Sequence, residues 1–122
     1  MTAGVVNLKQ KLSSFSERWS PRVVAEMNDY QFKLVKLQGE FVWHRHEETD
    51  EVFMVVMGEM QVGFRDGDVT IREGEMIVVP RGVEHRTVAE EEAEVVLFEP
   101  AATRNTGNVE DDRLTAPAGV RV

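Results

Sequence analysis

The sequence predicts an antiparallel all-β barrel or sandwich preceded by one short helix. Three observations carry that reading. From residue 22 onward, apolar and polar side chains alternate, or run in short stretches rich in β-branched residues, which is how strands read. Turn residues interrupt those stretches at nearly even spacing: Asn28-Asp29, Gly39, Gly58, Asp66-Gly67, Glu73-Gly74 and Pro80-Arg81-Gly82. The result is about nine short strands, the pattern of all-β sandwiches and barrels.

Taken in order, Val5, Leu8, Leu12, Phe15 and Trp19 recur every three or four residues, which suits a short amphipathic helix within residues 1–20. Pro21 stops it. One helix cannot bury its own face, so the segment 1–21 is expected to pack on the barrel or on a second subunit. Residues 22–27 are rich in β-branched residues, and 30–37 alternate with a period of two until Gly39 breaks them. Strands are expected over 41–46, over 51–57 up to Gly58, and over 60–64 into the Asp66-Gly67 hairpin turn. Further strands follow at 69–72, 76–79, 84–88 and 94–99. The barrel then spans 22–107, and the polar residues 108–122 read as a loose C-terminal tail.

A chain of 122 residues fits one domain, and 42% hydrophobic residues suffice for one core. The net charge of -8 argues against nucleic acid and anionic membranes as partners. Without cysteine, the chain can form no disulfide, thiolate metal site or cysteine nucleophile. The N-terminus has no basic stretch followed by an apolar one, and no apolar run approaches membrane-spanning length, so a cytoplasmic protein is expected. Gly-rich phosphate loops, nucleophile elbows and zinc-finger spacings are absent.

The chemistry concentrates in His44-Arg45-His46-Glu47-Glu48-Thr49-Asp50-Glu51. Residues two apart on a strand share a face, so His44 and His46 would project together and Arg45 and Trp43 the other way. His85 follows the corner Pro80-Arg81-Gly82. Imidazole suits first-row transition metals and a carboxylate compensates their charge. His44, His46, Glu51 and His85 would offer three nitrogens and one oxygen, leaving the other positions of an octahedral shell for water or substrate. If Glu51 points inward, so do Phe53, Val55 and Met57; with Val42 they would make a largely apolar pocket around a small polar focus. A scaffold whose histidines hold no metal is the alternative.

Residues 39–89 resemble the cupin superfamily. Gly39, His44-Arg45-His46, Glu51 and Gly58 follow its first motif, and Gly74, Pro80-Arg81-Gly82 and His85 its second. Gly39 stands one residue nearer His44 than that pattern asks, and Ala89 replaces its closing Asn. The resemblance is to small single-domain bacterial cupins, several of which look like the chains called mannose-6-phosphate isomerase-like. It implies an antiparallel double-stranded β-helix, the jelly-roll barrel. It implies a mononuclear divalent metal (Fe, Mn, Zn, Ni or Cu) on His44, His46, Glu51 and His85, a small-molecule ligand or substrate, and a homodimer.

Two functions follow: a metal-dependent oxygenase or isomerase of the cupin type, or a non-catalytic sensor or storage module. Tyr30 and Glu99 are candidates to support the ligands. No Lys or Arg is evidently placed inward, so the cations that a sugar phosphate would want are not in view. Trp43 is expected at a dimer contact or under the N-terminal helix. Asn105-Thr106-Gly107 reads as a structural turn, or as a loop at the barrel mouth that helps order a ligand.

Overall fold

In the computed structural model, which describes residues 4–122, one short helix precedes seven strands. These are α1 (Leu8–Leu12), β1 (Arg22–Met27), β2 (Tyr30–Glu40), β3 (Glu51–Met57), β4 (Glu59–Phe64), β5 (Gly67–Arg72), β6 (Met76–Val79) and β7 (His85–Pro100). Residues 1–3 of the expected helical segment lie outside the described residues. No described helix is long and apolar enough to cross a membrane.

Every strand pairing is antiparallel, and β7 organises them. Its first residues pair with β4, and its last pair with β2 on one side and β3 on the other. The main order is β1-β2-β7-β3-β6, with the β4–β5 hairpin attached to the first part of β7. This is the jelly-roll barrel.

The alternation expected from the sequence sets the inner face. Val35 and Leu37 from β2, Phe53 and Val55 from β3, and Val95 and Leu97 from β7 are buried in one core with Met60, Val62 and Val79. Met57 departs from it and is 47% exposed, because the pairing of β3 with β7 shifts register between Val55 and Met57. At the adjoining corner Gly58 has φ 82°, and a Cβ there would meet the Glu92 carbonyl at 3.1 Å, so a glycine is required.

Other boundaries moved for local reasons. The helix is barely one turn: Asn7 caps it through Gln10 N (2.9 Å), and the Ser13 and Ser14 hydroxyls donate back to the Gln10 and Lys11 carbonyls, which ends it. Leu12 and Phe15 bury against Leu34 and Val96 on the outside of the sheet. Trp19 lies beyond the helix in the left-handed region, φ 62°. Gly39 does not end β2, which runs through it to Glu40 with a register shift between Leu37 and Gly39. The strands expected at 84–88 and 94–99 are one strand, with Glu90, Glu91 and Glu92 exposed along it. Residues 41–46 are not a regular strand; they run beside the start of β7 through the bridge His44↔His85 and the bond from Phe41 N to Thr87 O.

Residues 108–122 are polar but not loose. Val23 N donates to Val120 O (2.7 Å) and Val122 N donates to Val23 O (3.2 Å), which adds a short parallel bridge to β1. Asn105 receives Ala116 N at its side-chain oxygen and donates to Leu114 O, tying the tail across the barrel mouth.

Candidate metal centre

His44 and His85 stand opposite each other on the bridge between segment 41–46 and β7, where each backbone N–H donates to the other's carbonyl at 2.9 Å. His46 follows on the same side of its segment, and Glu51 opens β3. All four are buried, and one donor atom from each lies within 4.8 Å of every other. The sequence therefore names the cluster correctly, although the segment carrying two of its members is not a true strand.

The rings are oriented by the backbone. His44 Nδ1 lies 2.8 Å from the Val42 carbonyl and His85 Nδ1 lies 2.9 Å from the Val83 carbonyl. A carbonyl only accepts, so each Nδ1 carries its hydrogen, which turns Nε2 inward as the atom that could meet a metal. His85 Nε2 lies 3.2 Å from Glu51 Oε1. His46 Nε2 lies 3.2 Å from the same oxygen, out of line for a hydrogen bond, and is a buried polar atom without a partner. Three ring nitrogens and a carboxylate thus converge on one point, where either a ring proton, as in the His85 Nε2–Glu51 Oε1 bond, or a metal cation relieves the repulsion among them.

The donor set fits a divalent transition metal on this ground. Two ligands each about 2.1 Å from one ion stand at most about 4.2 Å apart. The widest pair here, 4.8 Å, needs to close by roughly 0.6 Å, within side-chain torsion.

The electrostatics agree. Burial holds the His44 ring neutral and, helped by the neighbouring His85, lowers its pKa to about 4. Burial would raise the Glu51 carboxyl, but the facing His46 and His85 rings outweigh it and hold Glu51 far below the usual carboxylate range. Glu99 moves the other way: burial, then the charge on Glu51, push it well above the usual range.

Glu99 is one of two expected supporting groups, and it is buried beside Glu51. The other, Tyr30, is 40% exposed on the outer face. A lysine does point inward, contrary to expectation: Lys33 is 3% exposed, with Nζ 3.0 Å from Glu99 Oε1 and 3.5 Å from the Thr103 carbonyl. Glu99 Oε2 has no hydrogen-bond partner.

Behind His44 and Glu51 lies a cavity in which the centre of a water-sized sphere can sweep about 30 Å³, room for a water or two. Val35, Leu37, Phe53 and Leu97 form its walls, and the stacked pair Trp19–Phe41 (4.8 Å) closes it. An open groove beside His46 runs along Arg45, Arg104 and Asn108.

Gly107, expected in a structural turn or in a loop at the barrel mouth, brings its backbone against the His44 ring. A Cβ at Gly107 would meet the Arg45 carbonyl oxygen at 2.3 Å and the His44 ring at 3.0 Å. Next to it, the Asn108 side chain accepts Arg45 N at 2.9 Å and Asn108 N donates to Arg45 O at 3.1 Å. The turn therefore braces the segment between the two histidines. Trp43 does turn outward; its ring is covered by the Arg65 guanidinium at 3.9 Å and by Arg86 at 5.0 Å, not by the N-terminal helix.

A cupin domain model matches residues 33–100. A solved cupin-2 domain containing protein from Shewanella frigidimarina is 57% identical, with a TM-score of 0.78 over 79% of this chain and 94% of that one. A solved protein from Neisseria meningitidis is 44% identical, with a TM-score of 0.74 over 80% of this chain and all of that one (100%). The Bacillus subtilis protein YdbB is 30% identical over 103 residues, which is 75% of this chain and 85% of that protein.

Proposed function

This chain belongs to the cupin family, and on that premise we propose that its barrel holds one divalent transition metal on His44, His46, Glu51 and His85 and uses it to bind and act on a small metabolite. The observation that carries this reading is the 3.2 Å approach of His85 Nε2 to Glu51 Oε1 while His85 Nδ1 is engaged by the Val83 carbonyl. When bound, a divalent ion would act as a Lewis acid toward an oxygen of the ligand.

The chain's own residues supply the rest. The Val42 and Val83 carbonyls fix which nitrogen of His44 and His85 faces inward, as partners of metal-binding histidines do. Glu51 brings negative charge, and Glu99 with Lys33 supports it from behind. Phe41 and Trp19 stack across the cavity and limit its size. We propose oxygenation or isomerisation as the reaction classes. The observation that favours a second reading, a non-catalytic sensor or store, is the cavity wall: apart from His44 and Glu51, its described residues include no titratable side chain to serve as a base.

The unit proposed to carry this chemistry is the barrel, 22–107, with 1–21 packed on it and 108–122 as a polar C-terminal tail. We also propose a homodimer. The outer face of the β1-β2-β7-β3-β6 sheet supports it, because Phe32, Phe98, Val52 and Val78 line up in register there, and Met54 and Met76 beside them are 38% and 53% exposed. A net charge of -8 supports the absence of nucleic-acid and anionic-membrane partners, and we propose a cytoplasmic setting.

Elemental analysis of untagged, purified protein tests the metal. Near-stoichiometric divalent metal is expected. Metal-free protein that also takes up none on reconstitution would overturn the reading.

A further inference from the structure

We infer that the cavity behind the metal centre selects a small, uncharged, mostly apolar ligand that meets the metal through a single oxygen, and that Trp19 sets how large this ligand can be. The inference rests on the metal reading above and adds the ligand's class and the residue that limits it.

The wall decides the class. Beyond His44 and Glu51 it is Val35, Leu37, Phe41, Phe53 and Leu97, closed by Trp19. The polar exceptions among its described residues are Thr87 and Asn105. The Asn105 amide is already engaged: its nitrogen donates to Trp19 O and Leu114 O, and its oxygen accepts Ala116 N. The buried cation nearest the centre, Lys33, is held by Glu99 and the Thr103 carbonyl. A phosphate or second carboxylate on the ligand would therefore enter an apolar pocket without a partner, which buried charges do not tolerate. An apolar ring or branched chain meets carbon on every side.

Trp19 decides the size. Bulky residues rarely adopt a left-handed backbone, so the φ of 62° marks a position held by its surroundings. Its N–H donates to Lys36 O at 2.9 Å, its carbonyl accepts Asn105 Nδ2 at 3.2 Å, and its ring stacks on Phe41 at 4.8 Å. With the indole in place the cavity admits a water or two. A larger ligand needs the ring to swing aside, and the backbone anchors leave that side-chain motion free.

The test uses full-length protein loaded with Co2+, whose visible absorption reports both the ion and any ligand reaching it. Cyclohexanol serves as the neutral apolar probe, glycerol 3-phosphate as the charged polar one and azide as a probe small enough for the closed cavity. In the wild type, cyclohexanol is expected to bind at least 10-fold more tightly than glycerol 3-phosphate. Trp19→Ala is expected to strengthen cyclohexanol binding about 10-fold and leave azide within 2-fold; Trp19→Leu is expected to shift it in the same direction and stands in if the alanine variant does not fold. Equal or tighter binding of glycerol 3-phosphate, or a cyclohexanol affinity that neither substitution improves, would overturn the inference. If the wild type takes up no Co2+, the metal reading fails by itself. Titration of Trp19 emission with cyclohexanol and glycerol 3-phosphate in a Trp43→Phe background then decides the ligand class separately: a saturable spectral shift at lower concentration of cyclohexanol than of glycerol 3-phosphate sustains it, and the reverse order overturns it.

Discussion

Each face of the β1-β2-β7-β3-β6 sheet departs in part from the usual arrangement, although the inner one also carries the apolar core. The inner face, where water is excluded, carries Lys33, Glu99 and Glu51, all at most 3% exposed. The outer face, open to solvent beyond the helix, carries the row Ala25, Phe32, Phe98, Val52 and Val78, one residue from each strand in register. Buried charge and open apolar surface are each costly alone, and each points to something missing from an isolated chain. The inner face wants a cation, and the outer face wants another protein surface. The helix has already answered part of the second demand, since Leu12 and Phe15 cover Leu34 and Val96.

The contrast breaks most sharply at the buried pair. Glu99→Leu leaves the Lys33 ammonium in the barrel without its carboxylate and is expected to lower stability by about 3–5 kcal/mol in urea unfolding. Adding Lys33→Met should recover most of that loss. A single variant as stable as the wild type would show that the inner charges are not coupled.

Acid attacks the same face. The ordinary pKa of His44 is 6.5 and its folded value is about 4, so the unfolded chain takes up this proton first. Its contribution is complete above pH 6.5 and is lost as pH falls toward 4, a change of about 3 kcal/mol in the metal-free protein. Glu51, also held low, adds a loss in the same direction below its ordinary 4.5. Glu99, held high, acts oppositely, and what it contributes fades as pH rises above 4.5. Unfolding series across this range in metal-free protein measure the sum; with the opposing group removed in Glu99→Gln, a flat profile between pH 6.5 and 4 would contradict the burial of a neutral His44.

Gly107→Ala comes next. Its Cβ cannot fit 2.3 Å from the Arg45 carbonyl, and φ 56° disfavours it independently. We expect a loss of about 2 kcal/mol in stability and about 10-fold in metal affinity by chelator competition, because the displaced groups include the His44 ring.

On the outer face Val78→Lys should change monomer stability by less than about 0.5 kcal/mol, since Val78 is 51% exposed. If the proposed homodimer forms through this face, the substitution should nonetheless shift it toward monomer in sedimentation analysis. An unaltered dimer would place the interface elsewhere.

The comparison also explains what could be read from the sequence. The four ligands stand out because histidine is scarce and the spacing of His44, His46 and Glu51 with the His85 corner is specific. Alternation likewise puts Lys33 on the same face as Val35 and Leu37, but a lysine in a strand reads as solvent-facing until a buried Glu99 is known to sit across from it. The Glu90-Glu91-Glu92 run reads as a break between strands, whereas β7 continues through it with those side chains exposed. The contact of Gly107 with His44 joins residues 63 positions apart, and no local pattern announces it. The docked tail left a fainter trace in Val120 and Val122, two apolar residues closing a polar segment.

On the proposed function, the inner polar cluster exists to hold one metal ion. X-ray absorption at the metal edge of protein purified without added metal tests it directly. Three nitrogen donors and one protein oxygen at about 2.0–2.2 Å, with no sulfur, are predicted, and this shell should collapse in His85→Ala. A shell without imidazole scattering, or one unchanged in His85→Ala, would contradict the account.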